Sequence, residues 1–118
     1  MRFVVPEAPA MSTAVTLRGN VTFERFYGPP NFGETPEQDR KEEATILNLD
    51  REICVSAGTG SCDAQDMLNS IQLVIPTSIE GSAQAGECVV ADGPLFRAFT
   101  GHHRRLILMR VTNLRPCS

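Results

Sequence analysis

A strict alternation of apolar and polar residues near the start of the chain limits the folds that the chain can adopt. The apolar positions are Val15, Leu17, Val21 and Phe23, and Gly19 lies in the same register. A period of two is typical of a β-strand with one buried face. A glycine inside such a strand indicates a bulge or tight curvature. The sequence therefore predicts a sheet protein with a strongly curved first strand.

The rest of the chain is predicted to form further strands separated by turn-rich segments. These strands are expected over 45–55, 70–76, 87–99 and 105–114. Gly93-Pro94 interrupts the fourth strand and indicates a bulge there. The charged segment 34–43 is expected to be a solvated loop or a single helical turn.

The segments outside the strands complete the predicted organisation. Thr77–Ala85 is small and polar and is the best candidate for a short helix. Residues 1–13 contain two prolines and are expected to form a flexible N-terminal leader. Residues 14–118 are enough for a single domain with its own core. Five strands with a helix between the third and fourth match the element order of an OB-fold. The predicted fold is therefore all-β, an OB-like five-stranded Greek-key barrel with one short helix.

The unusual residues of the chain lie in two predicted loops. In an OB-fold, the loop between strands one and two and the loop between strands four and five flank the same binding face. Here these loops are 28–43 and 99–104, about 70 residues apart in sequence. A β-sandwich with the same strands would separate them. The residues expected to bind a partner are Pro30, Asn31, Phe32, Glu34, Glu37, Asp39, Thr100, His102 and His103.

No residue pattern in the chain predicts catalysis, a metal site or a cofactor. The two histidines are adjacent and leave a tetrahedral site short of ligands unless acids of the first loop complete it. Thr100 lies near them but has no motif around it that would make it a nucleophile. The acids are concentrated in one charged run, not in a pair that flanks a cleft. The chain is therefore expected to be no enzyme and to need no cofactor or metal.

Charge and hydropathy narrow the classes of partner. The formal net charge is −3, and no clustered basic face predicts binding to nucleic acid. No apolar run approaches the roughly 20 residues that would cross a bilayer, so no membrane insertion is expected.

The four cysteines favour two disulfides, because an even count in a small domain is typical of an oxidised scaffold. Three pairings are possible. Cys54 and Cys62 bracket a short loop, and Cys88 and Cys117 would lie opposite each other in a hairpin centred on the histidines. The favoured pairs are therefore Cys54–Cys62 and Cys88–Cys117, and the alternative is four reduced cysteines. Disulfides imply a periplasmic or secreted protein. Residues 1–12 contain no signal peptide, so the sequence is interpreted as a mature form with an added Met.

Several longer motifs are carried by segments 17–32, 47–55, 71–74 and 93–103. The most specific are Gly-Pro-Pro-Asn-aromatic in the first loop and Leu-Phe followed by Thr-Gly-His-His at the second. Together these motifs resemble a small bacterial family known as domain of unknown function 4431, over about residues 15–114. The resemblance implies an exported bacterial protein in a lysozyme-inhibitor-like context and no established chemistry. Phe32 stands where that family more often has tyrosine.

These expectations combine into a functional hypothesis. The chain is predicted to be a non-enzymatic exported module, an inhibitor or immunity-type protein that binds a cell-wall-directed enzyme or toxin through the 28–43 and 99–104 loops. Glu34, Glu37 and Asp39 would steer a basic partner. The alternative is a module that binds a small ligand or glycan in the same cleft. A metal-assisted enzyme and a structural accessory domain are less favoured.

Overall fold

The regular secondary structure of the described residues is all β-strand. The computed structural model describes residues 2–7, 10–28, 33–35, 37–56, 67–79, 84–98 and 105–117. The strands are β1 (Arg2–Val4), β2 (Ala14–Tyr27), β3 (Lys41–Ser56), β4 (Met67–Val74), β5 (Cys88–Arg97), β6 (Ile107–Arg110) and β7 (Asn113–Pro116). The described residues contain no helix, and the all-β prediction is confirmed.

The strands form one mixed sheet in which five of them pair in a closed ring. β2 is antiparallel to both β3 and β5, and β3 is antiparallel to β4. β4 is parallel to β6, and β6 is antiparallel to β5, which completes the ring. β1 extends the ring beside β3 in parallel, and β7 continues beside β5.

The ring can close because β2 is curved. The first half of β2 pairs with β5 and the second half pairs with β3. Gly19 belongs to both ladders, opposite Leu49 on one side and Val89 on the other. A Cβ atom on Gly19 would lie 2.1 Å from the carbonyl oxygen of Asn48, so only glycine allows this approach. This agrees with the curvature predicted from the sequence.

The predicted final strand, residues 105–114, is divided into β6 and β7. Leu95 pairs with Met109, and Asp92 pairs with Asn113. Between these two pairs the final strand therefore contains one residue more than β5. The extra residue lies opposite Gly93, whose Cβ would meet a backbone oxygen at 2.1 Å. The irregularity expected at Gly93-Pro94 is therefore present, but the additional residue belongs to the facing strand.

The beginning of the chain is part of the sheet. β2 pairs with one edge of β3 only as far as Leu49. β1 pairs with the same edge further along the strand. The N–H of Val5 donates to the carbonyl of Ser56 at 2.9 Å, and the Val5 side chain is fully buried. Further along, the N–H of Ser12 donates to the carbonyl of Leu95 at 2.8 Å.

The flexible leader expected over residues 1–13 is therefore fixed at these positions. The sequence reasoning gave weight to the two prolines and overlooked the alternation of Phe3 and Val5, which suits the free edge of β3. The domain boundary at residue 14 stays a prediction.

The predicted short helix is not found among the described residues. Within Thr77–Ala85, residues 77–79 form a turn closed by a hydrogen bond from the N–H of Ile79 to the carbonyl of Pro76 at 3.0 Å. Residues 80–83 lie outside the described part of the chain.

The core lies inside the ring and is built from the alternating apolar positions of its strands. Its members are Val5, Leu17, Val21, Leu47, Ile53, Val55, Ile71, Leu73, Val89, Ala91, Leu95, Ile107, Met109 and Val111. Five strands contribute to it in addition to the N-terminal segment, so no part of the ring forms a core by itself.

A disulfide between Cys88 and Cys117 joins the start of β5 to the residue after β7, which confirms that predicted pair. The N–H of Cys117 also donates to the carbonyl of Cys88 at 3.0 Å. Cys54 is disulfide-bonded as well. Its predicted partner, Cys62, lies outside the described residues, and that pairing stays a prediction.

Candidate functional site

The structure describes three of the nine binding residues predicted from the sequence. The other six, Pro30, Asn31, Phe32, Thr100, His102 and His103, lie outside the described residues. Glu34 and Glu37 are exposed, whereas Asp39 is buried. The three predicted acids therefore differ in how accessible they are to a partner.

Asp39 holds together the described end of the first loop. One carboxylate oxygen accepts from the N–H of Gly33 at 2.7 Å and from the N–H of Thr35 at 3.2 Å. The other accepts from the Thr35 hydroxyl at 3.0 Å. A carboxylate that accepts several local hydrogen bonds fixes the backbone around it. Asp39 therefore belongs to the support of the loop, while Glu34 and Glu37 face solvent.

The two strands that carry the first loop continue beyond the ring as a ribbon. Residues 41–43, the end of the segment expected to be a solvated loop, are the first residues of β3 instead. Lys41 pairs with Tyr27 across the ribbon. The N–H of Gly28 then donates to the carbonyl of Arg40 at 2.6 Å, so pairing continues one step past the strands. The first loop is therefore presented from a hydrogen-bonded base.

Arg105 fixes the chain directly after the second loop. Its Nε donates to the Ser70 hydroxyl on β4 at 3.0 Å. Its Nη1 donates to Glu24 Oε1 on β2 at 3.2 Å, and its Nη2 contacts the other oxygen of the same carboxylate. The N–H of Ala98 donates to the carbonyl of Leu106 at 2.9 Å and closes the base of this loop.

The register of the sheet shows which surface Arg105 covers. Ser70 lies opposite Asn48 on β3, and Glu24 lies opposite Ala44 on the same strand. Ile46 is midway between these two positions and on the same face. The Arg105 side chain, bonded on both sides of β3, therefore crosses above Ile46. This places the base of the second loop against the ribbon that leads to the first.

A second buried row, apolar except for Gln72, lies on this outer face of the sheet. Neighbouring positions across four strands are Ile46, Gln72, Leu108 and Phe96. All four are buried although they do not face the core. The adjacent residues in the same strands, which do point into the core, are Leu47, Ile71, Met109 and Leu95. The unbroken apolar run from Ile107 to Met109 in β6 is the sequence signal for burial on both faces.

A groove of about 560 Å³ opens beside Arg105, between the starts of β4 and β6. Its apolar lining is Met67, Leu68, Ala98 and Leu106. Its polar lining is Glu52, Asn69, Ser70 and Arg105. Sequence reasoning missed these residues because they come from segments far apart in the chain, and only the pairing of the ring brings them together.

A separate polar cluster surrounds Asp92 on β5, outside the groove. The Asp92 carboxylate accepts from the Thr16 hydroxyl at 2.5 Å, from Arg115 at 2.5 Å and from the Asn113 amide at 3.2 Å. The Thr16 hydrogen bond, followed by Arg115 and Asn113, lowers the pKa of Asp92 below its usual value, and partial desolvation opposes them. This cluster links β2, β5 and β7 and is structural.

Within the described part of the chain, no group of three or more histidine, cysteine or acidic residues could hold a metal ion. None of the described segments is a helix with the length and apolar character needed to cross a membrane.

Comparison of the chain with known families, curated proteins and solved structures found no match.

Proposed function

We propose that this protein is an exported, non-enzymatic binding module, an inhibitor or immunity-type protein that binds a cell-wall-directed enzyme or toxin. The observation that carries the proposal is the bridge from Arg105 to Ser70 and Glu24. This bridge attaches Arg105, which follows the second loop, to Glu24 on β2, the strand that leads to the first loop. On this proposal residues 28–43 and 99–104 form one contact surface, with Phe32, His102 and His103 as its anchors.

The proposal includes an OB-like Greek-key barrel for the five-stranded ring. Supporting it are the curved β2, which pairs with two strands, and the parallel pairing of β4 with β6. In such a barrel the two loops border the outer face of the middle strands. On this proposal the groove on that face is open to a bound partner, whereas the row beside it is already buried.

The proposed partner is a basic protein. Glu34 and Glu37 are exposed at the end of the first loop, and their charge would attract a cationic surface over several ångströms. Export is supported by the Cys88–Cys117 disulfide, because disulfides persist in oxidising compartments. Asp39 is left out of the contact surface because its carboxylate is buried in the loop support.

The first test is capture from the native envelope fraction with three folded baits: the wild type, a His102→Ala/His103→Ala variant and a Glu7→Gln control. We expect the wild type and the control to retain a cell-wall hydrolase or toxin in stoichiometric amount and the double variant to lose it. Absence of any such protein from all three baits contradicts the proposal. Equal capture by all three would move the contact surface away from the histidines.

The second test measures association kinetics with the captured protein, or with a c-type lysozyme as a defined basic enzyme. Glu34→Gln/Glu37→Gln should slow association by about three- to tenfold at low salt and weaken its salt dependence, with little effect on dissociation. Association rates that stay the same at every salt concentration would reject the steering role.

A small-ligand or glycan module is the second candidate, and the groove beside Arg105 favours it. Its volume of about 560 Å³ lies within the roughly 300–1,000 Å³ typical of ligand sites. This candidate predicts saturable binding of soluble cell-wall fragments and a rise in melting temperature with their concentration. If such fragments produce no rise at millimolar concentration, the glycan candidate fails.

A further inference from the structure

We propose that the groove between the starts of β4 and β6 receives a lysine or arginine side chain from the protein that the module binds. The inference rests on the proposed function, because it names the part of a basic partner that this surface takes. It adds a contact that the two predicted loops do not include. Its evidence is the apolar lining of the groove, a carboxylate there that has no ion-pair partner among the described residues, and the position beside the base of the second loop.

The apolar wall of the groove suits a long aliphatic stem. Leu106 is 69% exposed, the most exposed of the large apolar side chains in the described residues. Met67 and Leu68 are half-buried along the same groove. Lysine and arginine carry three or four methylene groups and bury them against apolar surface while their charged ends stay in contact with polar groups.

The charge of the groove selects a cation. Arg105 is neutralised by its bridge to Glu24, which supplies both carboxylate oxygens. Glu52 is exposed and forms no ion pair with any described residue. Arg51, its sequence neighbour, lines a different depression of about 300 Å³. The charge without a counterion at the groove is therefore negative, and it would attract an ammonium or guanidinium group and repel a carboxylate.

The position of the groove connects it to the proposed contact surface. Ala98 and Leu106, which close the base of the second loop by a backbone hydrogen bond, both line the groove. A partner that contacts Ala98 and Leu106 at the base of this loop would therefore also reach the groove.

The test uses N-acetyl-lysine amide and N-acetyl-norleucine amide, which share an unbranched aliphatic stem and differ in charge. Titration is followed by the methyl NMR signals of Met67, Leu68 and Leu106. We expect the lysine compound to shift these signals. It should bind about two- to fivefold more tightly than the norleucine compound, because an exposed ion pair contributes an affinity difference of this size. Glu52→Gln should remove the preference, and the control Glu7→Gln should keep it.

Three results would overturn the inference: no shift at these methyl groups, equal binding of both compounds, or a preference that survives Glu52→Gln. A parallel measurement separates this failure from failure of the proposed function. If the captured enzyme binds the wild type, Glu52→Gln and Leu106→Ser equally well, the function stands and the groove contact is wrong. If the lysine compound binds as expected but no cell-wall enzyme or toxin does, the groove stands and its proposed partner is wrong.

Discussion

At the scale of single residues, Gly19 and Gly93 occupy strand positions that leave no room for a side chain. A Cβ atom at either position would lie 2.1 Å from a backbone oxygen, of Asn48 and Arg110 respectively. A backbone oxygen cannot turn aside as a flexible side chain can. The two glycines therefore set how tightly β2 and β5 curve.

Gly19→Ala is expected to lower the free energy of unfolding by about 3 kcal/mol or more, because the ring must open to admit the new methyl group. Gly86→Ala is the matched control. Gly86 has a φ of 82° and nothing within 4 Å of its Cβ position, so alanine there costs about 1–2 kcal/mol of backbone strain alone. Urea unfolding measures both losses. Equal losses would mean that the contact with Asn48 does not limit the curvature.

Asp92 makes the stability of the protein depend on pH. Its folded pKa is lowered, so its contribution is fully present above the ordinary carboxyl value near 4 and is lost as pH falls through the folded pKa. Thr16→Val removes the largest cause of the lowered pKa. The variant should therefore lose less unfolding free energy than the wild type as the pH is lowered. Urea unfolding between about pH 7 and pH 2.5 checks it. Wild-type and Thr16→Val curves that run parallel over this range would contradict the assignment.

At the scale of elements, the N-terminal segment offers a matched pair of adjacent valines. Val5 is fully buried in the core, whereas Val4 is 49% exposed. Val5→Ala should cost about 2 kcal/mol of unfolding free energy through the cavity it leaves, and Val4→Ala about 0.5 kcal/mol or less. Denaturant unfolding measures both. A Val5→Ala loss as small as that of Val4→Ala would restore the flexible leader predicted from the sequence.

Strands with a clear period of two could be predicted from the sequence, and their boundaries differ from the structure by a few residues. The alternation from Val15 to Phe23 lies inside β2, and the apolar run of 70–76 overlaps β4. Periodicity works for β2 because one of its faces is buried in the core and the other is exposed. The ribbon was missed because Lys41, Glu42 and Glu43 are charged and form strand only by pairing with residues 25–27.

The candidate site was harder to predict because its contacts are distant in sequence. The convergence of the two loops was inferred from the expected element order and stays a prediction. The contact between Arg105 and Glu24 joins residues 81 apart and exists only when the ring is closed. Glu52 and Leu106 carry no motif, and their proximity depends on the irregular register between β3 and β4 after Asn48.

At the scale of the whole molecule, the Cys88–Cys117 disulfide constrains a chain segment of sequence separation 29. Replacing both cysteines with serine should lower the unfolding free energy by about 3.5 kcal/mol, since the cross-link restricts the unfolded chain. This is a large share of the roughly 5–15 kcal/mol that stabilises a typical domain. Denaturant unfolding of the double variant measures the loss. A loss below about 1 kcal/mol would mean that β7 pairing alone holds this end of the sheet.

The ring also determines when this protein can fold. Its last member, β6, contains four residues and pairs with both β4 and β5. A growing polypeptide cannot complete the ring until residues 107–110 have been synthesised, and until then β4 and β5 keep unpaired edges that other chains can join. Sheets built from such distant pairings form in milliseconds to seconds. Truncation before residue 107 would therefore leave an aggregation-prone product with two open strand edges.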